Sequence, residues 1–254
     1  MSKPGMYDAF SEDYDRFVDW DARLAFELPF LLSQLERHGA QSVLDVACGT
    51  GQHAIAFAQR GYRVAAADQS EGMVARARAN ARRIGAKLTV HRQGFADLVQ
   101  LGQSFDAITC LGNSLPHAAT ELALRQSLVA MAGCLSPGGL LILQQRNLAR
   151  VLAQNDRFLP LETHSSGGEE WVFLRFYDLE VRPIRFNLVR MHRSSEGWEK
   201  HTSGVRLGTW DEVALENALR RAGMEALSVH GSLRGEPFDR HESGDIVIVA
   251  QRET

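Results

Sequence analysis

The segment VLDVACGTGQH (residues 43–53) constrains this chain more than any other stretch. An apolar run of strand length breaks into Gly49-Thr50-Gly51 and passes straight into a helical pattern, so strand, tight loop and helix must follow within a few residues. The first strand covers 42–47, and strand-like runs recur at 62–67, 87–91, 105–110 and 140–144. Helical spacing fills 52–60, 71–84 and 120–134 between them, with a short turn at 95–99 and the turn SPGG before the fifth strand. Such alternation predicts a parallel sheet with right-handed crossovers. A helix at 21–38, closed by Gly39 and with Pro29 as a potential kink, precedes it.

The rhythm changes after Arg146. Between 171 and 207 the chain reads WVFLRFYDLEV, IRFNLVRMHRS and GWEKHTSGVRL, rich in aromatic and β-branched residues and separated by RP and SSEG, which predicts a three-stranded antiparallel insertion. A helix from an N-cap at Thr209 through Ala222, closed by Gly223, and strands at 225–230 and 245–251 complete the pattern. The expected fold is α/β: a Rossmann-like, doubly wound seven-stranded sheet, its last strand antiparallel, with an antiparallel β piece inserted after strand 5.

Gly49-Thr50-Gly51-Gln52-His53-Ala54 fits the dinucleotide pattern G-x-G-x-x-G/A, and Asp68 ends the second strand where an acid would hold ribose hydroxyls. A nicotinamide or flavin reading therefore has to be weighed. Against it stands Asp45, at the end of the strand before the loop, where it would repel a pyrophosphate seated on a helix N-terminus. No Tyr-x-x-x-Lys proton relay occurs either. S-adenosylmethionine fits better. It has adenine and ribose but no phosphate, and it carries an ammonium and a sulfonium that an acid beside the glycine loop would favour. The competing reading of Asp45 is a plain strand-end cap.

VLDVACGTG, the strand-end acid in VAAADQS, FDAITCLGNSLPH and SPGGLLILQQRN resemble motifs of class I S-adenosylmethionine-dependent methyltransferases, most narrowly glycine N-methyltransferase and the bacterial glycine/sarcosine methyltransferases. The likeness is strong over 41–147 and carried most specifically by CLGNS-x-x-H and by the RN after the fifth strand. It implies that Asp45, Ala47, Gly49 and Gly51 surround the methionine and ribose, that Asp68 holds the ribose hydroxyls, and that Gln69 and Met73 lie beside the adenine. In QGFADL it places Gly94 and Phe95 against the adenine, where a core role for Phe95 is the alternative. The Leu111 carbonyl would face the methionine ammonium, and Asn113 the acceptor. Arg23, in WDARL, corresponds to an arginine that binds the cofactor's carboxylate. The expected division is an N-terminal lid and helix over 1–40, the cofactor-binding half over 41–147, an antiparallel β insertion serving as acceptor cap or dimer surface over 148–208, and the rest of the sheet over 209–254.

Arg146 follows an apolar strand at its carboxyl end, where ligands bind in open α/β sheets, and its planar fork suits a carboxylate. The resemblance assigns it the carboxylate of an amino acid. His117, on the loop beyond Leu111, would orient the acceptor or take a proton, unless it merely caps the loop. Tyr7 and Tyr14, in YDAFSEDYD, read either as part of a lid over the site or as an arm packed on the sheet. His201 and Trp198 fall to packing of the insertion. The family's DHRNY reads QQRNL here, and the chain holds only four tyrosines, where glycine-specific sites use several. Glycine itself is therefore in doubt as the acceptor, while methyl transfer is not.

A net charge of −3 and scattered arginines give no electrostatic footprint for nucleic acid or an anionic membrane, and no NPPY-type base-methylation motif stands at the fourth strand end. The three cysteines form no C-x-x-C, and the first residues lack the apolar core of a signal peptide, so a reducing, cytoplasmic setting is expected. No metal-ligand spacing occurs, so no metal is expected. The function expected is methyl transfer from S-adenosylmethionine, leaving S-adenosylhomocysteine, to the nitrogen of a small amine or amino acid. O- or heterocyclic-N-methylation is one alternative, and a non-catalytic S-adenosylmethionine-binding module another. A homo-oligomer is compatible with the sequence.

Overall fold

The computed structural model describes residues 6–254, so the first five residues of the expected lid lie outside the described residues. In chain order the elements are helices α1 (Met6–Phe10), α2 (Tyr14–Phe17) and α3 (Trp20–Arg37), strand β1 (Ser42–Val46), α4 (Gln52–Gln59), β2 (Arg63–Asp68), α5 (Glu71–Arg83), β3 (Leu88–Arg92), β4 (Phe105–Cys110), α6 (Glu121–Gly133), β5 (Leu135–Arg146), α7 (Leu148–Gln154), β6 (Glu162–Ser166), β7 (Glu169–Asp178), β8 (Ile184–Ser194), β9 (Gly197–Leu207), α8 (Glu212–Arg221), β10 (Met224–His230) and β11 (Asp245–Arg252). 3₁₀ helices occur at Phe95–Leu101 and Leu115–His117.

One sheet has seven strands in the order β10-β11-β5-β4-β1-β2-β3. β11 runs antiparallel to its neighbours β5 and β10, while β1 to β5 pair in parallel. The alternation of side chains along each strand feeds two cores. Leu44 and Val46 of β1 enter one with Ile108, Leu141 and the apolar faces of α6 and α8, and Val43 enters the other with Ala66, Ile142 and α3 and α4. The fold class read from the sequence is therefore the one observed.

Four local expectations change. The insertion has four antiparallel strands rather than three, because β6, the polar segment ETHSS, pairs with β7 despite having no apolar alternation. Residues 148–154 form α7, a helix of seven residues capped by Asn147, too short to show a period. The helix after the insertion starts at Asp211, whose side chain accepts from the Ala214 N–H, and not at Thr209. SPGG lies inside β5, where the pairing with β4 jumps from Phe105–Leu135 to Ala107–Leu140, so those residues form a bulge in the strand. Gly39 closes α3 with φ +63° as expected, and Pro29 sits within that helix.

The N-terminal helices bridge the two sheets. Phe10 and Phe17 pack on Phe173 of β7, Arg16 stacks over Trp171 and Arg190 of β8 pairs with Asp13. From the other side, Asp8 accepts from Ser70 Oγ at 2.6 Å, and Asp15 accepts from Thr50 Oγ1 at 2.6 Å and Asn80 Nδ2 at 3.0 Å. This arm therefore spans the mouth formed by the carboxyl ends of β1, β2, β4 and β5.

Candidate active site

At that mouth three adjoining cavities meet. The glycine loop makes the first wall. Gly51 holds φ +81°, and a Cβ there would stand 2.9 Å from that of Ala77, so only glycine lets α4 lie against α5. Gly51 itself lines none of the three cavities; it shapes the loop beside them. Ala47 (φ 54°) and Asn113 (φ 64°) are also left-handed, two non-glycine residues in a sparsely populated backbone state at the rim of the site.

The first cavity, of about 70 Å³, is lined by Ala47, Gly49, Asp68, Gln69, Met73, Gly94, Phe95, Tyr7, Tyr14 and His117, among others. Phe95 lines the cavity while also packing against the core. Asp68 Oδ2 accepts from the Gly49 N–H at 2.9 Å and Oδ1 from the Ser70 N–H at 2.8 Å. It therefore also ties the glycine loop to β2 and the start of α5.

The second cavity, of about 40 Å³, is lined by Asp45, Ala47, Gly49, Leu111, Arg23 and Tyr14, together with Trp20 and His53. Asp45 is 2% exposed. Its Oδ1 accepts from Thr109 Oγ1 at 2.8 Å, while its Oδ2 is buried with no hydrogen-bond partner among the described residues. Burial pushes the Asp45 and Asp68 carboxyl groups above the ordinary carboxylate range. Glu27 sits between Arg23 (3.0 Å) and His53 (2.6 Å) and orients the Arg23 guanidinium. That guanidinium lies 3.4 Å from where a Cβ on Gly112 would stand; Gly112, at φ +69°, leaves the room. The Leu111 carbonyl is used in part, accepting from Ser114 Oγ at 2.7 Å.

The third cavity, of about 420 Å³, falls within the size range of small-molecule pockets. Its floor is Asn113, Gln144, Arg146 and Asp245, its roof Phe10, Tyr14, Phe17 and Arg23, and its far wall Arg175, Tyr177, Phe186 and Leu188 of the four-stranded sheet. Asn113 does not present its side-chain oxygen freely, since Oδ1 accepts from the Arg146 N–H at 3.0 Å and so fixes the backbone that carries the arginine. Arg146 Nε is 3.9 Å from Asp245 Oδ1 and has no hydrogen-bond partner among the described residues. Gln144 accepts from the Gly112 N–H at 2.7 Å and donates to Asp245 at 2.8 Å. An acid from β11, Asp245, thus stands beside Gln144 of β5. Asp245, Arg175 and Tyr177 were not singled out by sequence, because each reaches the site only through long-range strand pairing.

Tyr7, Tyr14, Gly112 and His117 line both the first and third cavities and form the neck between them. Tyr7 Oη and His117 Nε2 are 2.8 Å apart. Burial pushes the His117 pKa down to about 4 and raises those of the Tyr7 and Tyr14 phenols, so all three side chains are neutral near pH 7. Three of the four tyrosines of the chain, Tyr7, Tyr14 and Tyr177, therefore face the site. His201 and Trp198 lie on β9, away from it.

These residues suit S-adenosylmethionine. The orphaned Asp45 oxygen asks for a cationic donor, Asp68 keeps an acceptor lone pair toward the cavity, and Arg23 can take a carboxylate. Among the described residues no cluster of His, Cys, Asp or Glu could hold a metal ion, and no helix is long and apolar enough to cross a membrane.

Residues 43–139 match the family described as "Methyltransferase domain". The glycine/sarcosine N-methyltransferase of Parasynechococcus marenigrum is 35% identical over 76% of this chain and 76% of its own length, and that of Aphanothece halophytica 38% identical over 77% and 80%. Among solved structures, an S-adenosylmethionine-dependent methyltransferase from Clostridium acetobutylicum superposes with a TM-score of 0.80 at 18% identity, covering 98% of this chain and 99% of that one. The chain belongs to the S-adenosylmethionine-dependent methyltransferases.

Proposed function

We propose that this enzyme methylates the nitrogen of a small amine or amino acid, of the glycine/sarcosine type. The observation that carries this reading is the neck. The first cavity opens into the acceptor cavity through neutral groups only: Tyr7, Tyr14, Gly112 and His117. S-adenosylmethionine supplies a methyl group on a sulfonium whose departure leaves a neutral thioether. The chain's own residues align the acceptor and exclude water, which is worth up to roughly 7–11 kcal/mol in well-oriented systems. An amine must arrive without its proton, and a neck free of anions does not hold it as ammonium. Arg146, beyond the neck, suits the acceptor's carboxylate.

Methylation of a hydroxyl would require a general base, and His117, with a pKa of about 4, is a weak one at neutral pH. That observation favours the amine over the O-methylation reading. The arm across the mouth and the acceptor-sized cavity beneath it likewise favour an enzyme over a binding module. The relatives named for glycine and sarcosine support an amino acid, and the cavity, at about 420 Å³, has room for one larger than glycine.

The test is a panel of amines, amino acids, their esters and phenols, incubated with methyl-labelled cofactor and read by product mass. Amino acids methylated in preference to their esters support the proposal. A panel in which only phenols or imidazoles react replaces it with the O- or heterocyclic-N reading.

A further inference from the structure

Arg175 is on the middle of β7, one of the strands that the family motifs do not reach. With period-2 alternation, Phe173, Arg175 and Tyr177 share a face of that strand, and Arg175 and Tyr177 line the acceptor cavity together with Arg146. Phe173 and Phe17 fix the base of this face, with the Arg175 guanidinium 5.1 Å over the Phe17 ring.

The two arginines are incompletely satisfied in the same way. The Nε atoms of both Arg146 and Arg175 are buried and without a hydrogen-bond partner among the described residues. Arg175 reaches Glu162 and the Pro160 carbonyl only through Nη2, at 3.4 Å each, and Glu162 lies at the edge of its sheet with a side chain 42% exposed. Arg146 has Asp245 at 3.9 Å, whose other oxygen is engaged by Gln144. Arg146 is also close enough to Arg175 to push its pKa down, together with burial. Two guanidiniums that repel across a cavity while each keeps a buried N–H unpaired are arranged for an anion between them, since a carboxylate accepts from both forks at once.

We infer that Arg175 is a second acceptor-binding residue: Arg146, at the end of β5, and Arg175, on β7, hold one carboxylate of the acceptor between them. The inference rests on the amino-acid reading of the acceptor cavity and assigns the four-stranded sheet to substrate recognition. An acceptor is then selected by its carboxylate from both sheets, and an amine lacking one loses both contacts.

The full-length protein, saturated with S-adenosylhomocysteine, is titrated by calorimetry with acetate, sarcosine and methylamine. Wild type should bind acetate and sarcosine, and R175Q should weaken both by about tenfold, the loss of one charge-assisted hydrogen bond, with methylamine unaffected. R146Q should do the same, and R146Q/R175Q should lose less than the product of the two, because both contact one group. R175K, which keeps the charge and not the fork, should recover only part of the affinity; it also serves as the readout if R175Q melts early. Acetate binding unchanged in R175Q or R175K overturns the inference, as does wild type that binds neither acetate nor sarcosine. Acetate binding that depends on Arg175 in an enzyme that methylates no amino acid would keep the anion site and overturn the proposed function instead.

Discussion

Replacing Asp45 by Asn separates a structural acid from a ligand-binding one. In the protein Oδ1 already accepts from Thr109 Oγ1, a contact that the amide oxygen can keep, and Oδ2 has no partner. A buried group left unsatisfied costs about 1–3 kcal/mol, more when charged, so the amide should leave the free protein as stable or stabilise it. A hydrogen bond to a charged group contributes about 1.5–3 kcal/mol, so its loss should weaken S-adenosylmethionine by about 10- to 150-fold at 1.4 kcal/mol per decade. Calorimetry gives the affinity and urea unfolding gives the stability, on the same preparations. The raised pKa of Asp45 adds a check of sign: a cationic ligand draws that pKa down, so proton release on binding, followed across pH, should appear in wild type as the pH is lowered and be absent in D45N. A D45N protein that binds the cofactor normally and unfolds more easily would refute this account and make Asp45 a strand-end cap.

Other perturbations read other parts of the site. Asp68→Ala should weaken the cofactor by about 1.5–3 kcal/mol or more and also destabilise the fold, because the Gly49 and Ser70 N–H groups lose their acceptor; calorimetry and thermal unfolding together distinguish this from a ligand contact alone. Arg146→Lys should raise KM for an amino-acid acceptor about as much as esterifying the acceptor's carboxylate does, and the two losses should not add; additive losses would mean they act separately. His117 is held neutral in the fold with a pKa of about 4, against 6.5 when unfolded, so acid protonates the unfolded chain first. Its penalty should grow as pH falls from 6.5 and level off near 4, at up to about 3 kcal/mol; urea unfolding of wild type and His117→Asn should diverge over that window and run parallel above it.

The parts of the structure legible in the sequence are those fixed by neighbours along the chain. Apolar runs such as Val43 to Val46 declare themselves because buried parallel strands need both faces apolar, and Gly49 and Gly51 because the loop between strand and helix needs left-handed backbone. The first two cavities are lined from those same strand ends, so Asp45 and Asp68 could be placed there in advance. The acceptor side is not local. Asp245 reaches Arg146 only because β11 pairs antiparallel with β5, and Arg175 and Tyr177 arrive on a sheet whose register no short motif records. Glu27 had a visible signal, the i,i+4 spacing to Arg23 on one helix, but its second partner His53 lies on another. β6 escaped notice because ETHSS owes its strand to the pairing offered by β7 rather than to its own propensity.

The most direct measurement follows the methyl group itself. Wild-type enzyme is mixed with sarcosine and S-adenosylmethionine carrying a carbon-13 methyl, and NMR identifies the atom that holds the label after one turnover. Methyl transfer at the neck between the two cavities predicts a labelled N-methyl signal on the sarcosine nitrogen and S-adenosylhomocysteine in equal amount. Label found on the carboxylate as an ester, or cofactor bound but never consumed with sarcosine or any other amine, would contradict it.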